Sequence, residues 1–287
     1  MQKGAPKKPL RKPQRQNKPG LQSKMEPQPI TETSYVGSGK LKDKVALITG
    51  GDSGIGRAVA VLFAKEGAKI AIAYLSEHKD AAETQRLVEE TNAECILIPG
   101  DLSKEINCRR AVNKTLKKFG RVDILINNAA VHFESKKLED ITSEQLLKTF
   151  ATNFFSCFWV TQAALPYIPS GGCIINTASV TAYRGSPGLM DYASTKGAIV
   201  SFTRSLSSNL IKKKIRVNGV APGPVWTPLI ASTFKPEKVA DFGSDVPMAR
   251  AGEPAEIAPS YLFLASDDGA FITGQFIHPN GGEIVNG

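Results

Sequence analysis

The chain has 287 residues, 41% apolar, 22% charged and 7% aromatic, within the range of a single α/β domain. No stretch approaches the roughly 18 consecutive apolar residues of a membrane span, no apolar segment follows the basic N-terminus as a secretory signal requires, and no repeat suggests a solenoid. The net charge of +9 is uneven: the first 40 residues hold nine Lys/Arg against Glu26 and Glu32, so basicity belongs to a tail and not to a folded nucleic-acid-binding face.

That tail, residues 1 to about 38, contains six prolines and almost no large apolar residue before Tyr35. It is expected to be disordered or an extended arm lying on the domain, and to add little stability. Scattered lysines would let it bind a polyanion without sequence preference, the alternative to a solvated leader. Residues 39–287 form the predicted domain.

From Lys44 short apolar runs alternate with longer mixed segments. The runs Val45–Ile48, Ile70–Ala73, Cys95–Ile98, Ile124–Ile126, Cys173–Asn176, Val217–Val220 and Phe276–His278 read as strands buried on both faces. Between them Ile55–Glu66, Lys79–Thr91, Glu105–Phe119, Glu144–Leu165 and Ala193–Lys212 read as helices. This alternation predicts an α/β fold: one doubly wound Rossmann-type domain, a seven-stranded mainly parallel sheet with helices on both faces. Ligands of such sheets lie beyond the carboxyl ends of the strands. Cys95, Cys108, Cys157 and Cys173 lack any C-x-x-C spacing, which argues against a disulfide framework or a zinc site and suits a reducing cytoplasm.

After the first strand, Thr49-Gly50-Gly51-Asp52-Ser53-Gly54-Ile55-Gly56 leads into a helix, where glycines admit a pyrophosphate and the helix N-terminus supplies free N–H groups. Tyr192 and Lys196 share one helix face at i and i+4. A phenol titrates near ~10, and a nearby ammonium is expected to lower it and make Tyr192 a general acid/base. Ser179, at a strand end, can orient a carbonyl or alcohol oxygen.

The glycine turn, Asn127-Asn128-Ala129-Ala130 after the fourth strand, Ser179, Tyr192-Ala193-Ser194-Thr195-Lys196, and Pro222-Gly223-Pro224-Val225-Trp226-Thr227 after the sixth resemble the short-chain dehydrogenase/reductase family over residues 41–287, nearest to its bacterial general-stress and glucose/ribitol-dehydrogenase-like members. Ala130 replaces the family's glycine. The resemblance implies an NAD(P)-dependent oxidoreductase of CH–OH groups, with Ser179, Tyr192, Lys196 and Asn153 catalytic, and Ser179 and Tyr192 holding the substrate. It implies a cofactor site of Gly50, Asp52, Ser53, Gly54, Ile55, Gly56, Tyr74, Asp101, Leu102, Asn128, Ala129, Ala130, Tyr192, Lys196, Pro222, Gly223, Val225 and Thr227, and no metal. Asn153 would hold a proton-relay water, or else be an ordinary buried amide; Asp101 would lie near the adenine, or cap a helix.

Tyr74 stands where an NAD enzyme places a carboxylate and an NADP enzyme an arginine, so neither a repelling nor a pairing charge is expected; NAD is favoured over NADP. His132, Phe133, Thr181, Tyr183, Met190 and Trp226 are candidate pocket residues for a small aldehyde, ketone, sugar or polyol, although His132 also reads as a solvated loop histidine. The expected partner is a small carbonyl or alcohol substrate, without specific nucleic acid or membrane. The resemblance and a surplus of apolar side chains on Glu144–Leu165 and Ala193–Lys212 imply a homotetramer. A dinucleotide-binding sensor with little turnover and a tail-mediated polyanion-associated protein are the competing readings.

Overall fold

Runs of Ile, Val, Leu and Ala build the strands, and their near-complete burial means that both faces of the sheet are covered. The computed structural model describes residues 9–285; residues 1–8 of the predicted tail and 286–287 lie outside the described residues. In chain order the elements are β1 (Val45–Thr49), α1 (Gly54–Lys65), β2 (Lys69–Tyr74), α2 (His78–Glu89), β3 (Cys95–Pro99), α3 (Glu105–Phe119) and β4 (Ile124–Asn127). Then come α4 (Ser143–Phe150), a π turn (Ala151–Phe155), α5 (Ser156–Ala164), β5 (Cys173–Thr177), α6 (Thr181–Arg184), α7 (Met190–Leu210) and β6 (Arg216–Val220). Short α8 (Pro228–Ala231) and α9 (Pro236–Ala240), α10 (Pro254–Ala265) and β7 (Phe276–Ile277) complete the fold.

The strands form one sheet in the order β3-β2-β1-β4-β5-β6-β7, every neighbouring pair parallel. The order reverses between β1 and β4, so their carboxyl ends open the crevice in which such sheets bind ligands. Alternate residues of β1 serve opposite cores: Ala46 and Ile48 pack under α1, α2 and α10, and Leu47 under α3, α5 and α7. The α10 helix was not evident in the sequence, because Pro259 interrupts an otherwise apolar segment. Its start carries a capping box between Glu253 and Glu256 and a proline at the first position, the readable signal.

The predicted helix Glu144–Leu165 is one helical rod with a π turn inside it. Such a turn inserts a residue and rotates the following side chains, and it often lies at functional sites.

Residues 9–38 run as an extended arm across the domain. Leu10 N–H and Gln16 N–H donate to Ala240 O and Ala231 O, the Trp226 indole donates to Pro27 O at 2.9 Å, and Ala255 N–H donates to Ile30 O. The expectation that this segment buries almost nothing apolar fails at Met25, which is 1% exposed among Trp226, Ile230 and Phe234. Composition missed it because one well-placed side chain suffices when the domain supplies the pocket.

Candidate active site

The turn after β1 is shaped by what a side chain would strike. Gly50 and Gly54 have φ of +65° and +51°, and a Cβ on Gly56 would come within 1.9 Å of Gly50 O. The residue before α1, Ser53, gives the helix no side-chain cap, because its hydroxyl turns to Asp52 Oδ2 at 2.9 Å. Gln22 of the arm accepts the Gly54 N–H at 2.7 Å instead. Among the described residues no acceptor meets the Ile55 and Gly56 N–H groups. A side-chain-free cradle with free amides and a positive dipole end fits a dinucleotide pyrophosphate.

Neighbouring strand ends are stitched to this turn. Thr49 Oγ1 accepts the Asn128 and Ala129 N–H groups at 2.9 and 3.1 Å, and Asn128 Nδ2 donates to Thr49 O and Gly50 O. Ala130 follows, half-buried, so the methyl is accommodated. On the far side Thr227 packs its methyl at the position a Gly54 side chain would take, Pro222 O accepts from Val180 N–H, Gly223 lies so close to Asn280 that a Cβ has no room, and Val225 is buried.

The end of β2 corrects one expectation. Tyr74 is buried and its hydroxyl meets His78 Nδ1 at 2.8 Å, but the position is not free of repelling charge. Asp52 and Glu77 stand beside it, and both oppose ionisation of Tyr74, after burial itself. Burial, and then the Glu77 charge, push the Asp52 carboxyl up to about 6. Glu77 Oε2 accepts the Ser76 N–H, whereas its buried Oε1 has no partner among the described residues. Glu77, three positions after Tyr74, thus brings to the end of β2 a negative charge that Tyr74 itself lacks. Asp101 Oδ1 accepts the Ser103 N–H at 3.0 Å in the turn before α3, and Leu102 is buried in the α3 core.

On α7, Tyr192 and Lys196 are held together, with Nζ 5.4 Å from the phenol ring centre. Lys196 is 1% exposed, donates to Thr177 O at 2.7 Å, and is pushed down to about 8 by burial. Burial also dominates Tyr192 and pushes it up to about 12, opposed by a hydrogen bond with Ser179. Burial thus moves the phenol in the direction opposite to the expected lowering, and it stays protonated. The fold brings Ser179, Tyr192 and Lys196 together.

Asn153 sits on the π turn and is 1% exposed. Its Oδ1 accepts the Val131 N–H at 2.8 Å, and its Nδ2 donates to Val131 O and Thr195 Oγ1 at 2.9 and 3.1 Å. It ties the segment after β4 to α7, one residue from Lys196.

Sequence reasoning missed two supports. Asp191, buried beside Tyr192, accepts from Thr149 Oγ1, Gln145 Nε2 and the Tyr192 N–H at 2.8, 3.1 and 2.8 Å. A polar ladder crosses the sheet, Asn127 Nδ2 to Asn176 Oδ1 and Asn176 Nδ2 to Thr203 Oγ1, each at 2.9 Å. Asparagines within apolar strand runs were the available signal.

The candidate pocket residues divide. His132 is not a solvated loop residue: it is 4% exposed, edge-on to Tyr192 at 5.0 Å between ring centres, and burial pushes it down to about 3, so it stays neutral. Phe133 lies under Lys18 of the arm, and Met190 opens α7. Thr181 N–H donates to Ser179 Oγ at 3.2 Å. Trp226 faces the arm, under Arg11, and belongs to the cluster against which Tyr192 packs, whereas Tyr183 packs on His278 and Phe276 near β7.

A family profile described as enoyl-(acyl carrier protein) reductase matches residues 50–283. General stress protein 39 of Bacillus subtilis is 54% identical over 268 residues, 93% of this chain and 94% of its own. NADPH-dependent aldehyde reductase 1, chloroplastic, of Arabidopsis thaliana is 52% identical (93% and 96%), and the glucose and ribitol dehydrogenase of Daucus carota 50% identical (96% and 97%). A short chain dehydrogenase from Burkholderia cenocepacia, solved in complex with NADP, superposes with a TM-score of 0.80 at 30% identity, covering 85% of this chain and 98% of that one.

Proposed function

The chain belongs to the short-chain dehydrogenase/reductase family, and from that premise we propose that Tyr192 is the general acid/base for hydride transfer at the carbonyl or alcohol of a small aldehyde, ketone, sugar or polyol. That it is a dinucleotide-binding oxidoreductase follows from the family. The observation supporting the finer reading is the trio of buried Ser179, buried Lys196 and half-buried Tyr192 beyond the strand ends, beside an anion-ready glycine turn. A bound nicotinamide supplies or takes up the hydride. Ser179 orients the substrate oxygen, Tyr192 gives it a proton in reduction or removes one in oxidation, and Lys196 places its positive charge beside the phenol. The names of the aldehyde reductase and the glucose and ribitol dehydrogenase support the substrate class.

For the cofactor the reading is NAD over NADP. Asp52 and Glu77 crowd negative charge at the end of β2, where an adenine ribose lies in such folds, and Glu77 Oε1 is an acceptor suited to a hydroxyl and not to a phosphate. Relatives named for NADPH or NADP make this the point to test. Fluorescence assays of aldehyde, ketone and polyol panels with NADH and NADPH test both parts. No turnover with either cofactor would overturn the enzymatic reading, and tighter binding of NADPH would overturn the preference. The proposed assembly is a homotetramer and the proposed setting the cytoplasm, in keeping with four free, buried cysteines.

A further inference from the structure

The N-terminal arm reaches the dinucleotide site at one residue. Gln22 is 2% exposed, and its carboxamide oxygen accepts the Gly54 N–H at 2.7 Å. It is held from behind: the Gln22 and Ser23 N–H groups donate to the Asp80 carboxylate at 2.6 and 3.1 Å, and Asp80, 1% exposed, lies 3.9 Å from the Arg57 guanidinium. Arg57 in turn donates to Asp52 O and Asp80 O. The arm therefore bridges the first turns of α1 and α2 through a buried polar network centred on the glycine turn.

Resting on the dinucleotide-binding reading above, we propose that Gln22 is a positioning residue for the cofactor, capping the glycine turn through Gly54 without adding charge to it. Ser53, at the N-cap position, has its hydroxyl on Asp52 and leaves Gly54 without a local acceptor. Gly54 is held at a positive φ, and an uncapped N–H there would let the turn fray. A carboxylate cap would satisfy the amide but set a negative charge against a pyrophosphate. A neutral amide fixes the turn and leaves the Ile55 and Gly56 N–H groups pointed at the anion. This is a chemical reason for the arm to deliver glutamine.

The test compares the full-length wild type with Gln22→Ala, Gln22→Met and Gln22→Glu. Two quantities are read: the dinucleotide Kd by calorimetry without substrate, and amide hydrogen exchange at Gly54 in cofactor-free protein. Both Gln22→Ala and Gln22→Met are expected to speed Gly54 exchange and weaken binding by about 10-fold, the usual worth of a lost cap, with kcat at saturating cofactor retained. Gln22→Glu is expected to keep Gly54 exchange slow and still bind more weakly, a loss that shrinks with added salt. Unchanged Kd and unchanged exchange in both Gln22→Ala and Gln22→Met would overturn the proposal. So would a fall in melting temperature alone, which would make Gln22 merely structural. A wild type that binds no dinucleotide would instead overturn the reading on which the proposal rests.

Discussion

Tyr192→Phe deletes one oxygen from a half-buried ring that makes a T-shaped contact with His132 and whose face lies near Lys196, so packing and dinucleotide affinity are retained. Turnover is expected to fall at least ~100-fold, the ordinary contribution of a positioned proton donor; steady-state assays check this, and retained turnover would remove Tyr192 from the chemistry. Asp52→Asn has a different signature. The folded carboxyl titrates at about 6 and the unfolded one near 3.8, so the folded state holds the extra proton between those values. Stability therefore falls as pH rises through that window, and the penalty is present in full at neutral pH. Asp52→Asn is expected to gain roughly 1–3 kcal/mol at pH 7, and nothing below pH ~4. It should also bring the Kd for NADPH closer to that for NADH. Urea melts at the two pH values and calorimetry with both cofactors decide it. At this scale the sequence was legible where chemistry needs a fixed spacing, as in Tyr192 and Lys196. It was not legible where burial sets the outcome: nothing in the order of residues says that Tyr192 is desolvated, or that His132 is.

Among the elements, the strands were legible because a strand buried on both faces must be apolar throughout, and six of the seven predicted runs lie wholly within an observed strand. The seventh is only Phe276–Ile277, since an edge strand beside β6 can be short. The π turn was not legible, because its sequence, Ala-Thr-Asn-Phe-Phe, carries no glycine or proline to mark it. The arm misled the sequence reading for a related reason: its docking depends on a pocket built by residues two hundred positions away. Met25→Ala is accordingly expected to cost ~2–4 kcal/mol, and so to lower the melting temperature by about 5–10 °C. Scanning calorimetry measures this, and an unchanged melting temperature would mean that the arm contributes nothing to the fold.

For the whole molecule, the surplus of apolar side chains is narrower than the sequence suggested. Phe154 packs against Phe155 and Phe202, Trp159 packs against Phe155, and Leu210 is fully buried, so the chain covers Leu210 itself and the aromatic rings in part. Leu146, Leu147 and Phe158 remain 41%, 62% and 41% exposed along α4 and α5. A second copy related by a two-fold axis would bury these three against their equivalents. Light scattering at micromolar concentration is expected to report about four times 30.8 kDa for the proposed tetramer, and a stable active monomer would contradict it.

The arm also imposes an order of events on the making of the protein. Its anchors fall into two groups: Gln22 finds Asp80 only 58 residues on, whereas Pro27 waits for Trp226, 199 residues on, and the Ile30 N–H for Glu253, 223 residues on. Domains emerge N-terminal end first, so the glycine turn, Gln22 and Asp80 all exist by residue 80, while the rest of the arm still lacks its partners. Closing so long a loop costs little more than closing a short one, but it cannot happen before the far end exists. A nascent chain stopped short of residue 226 is expected to leave residues 9–16 and 27–30 open to protease, and the finished chain to protect them, making full docking of the arm one of the last events of synthesis.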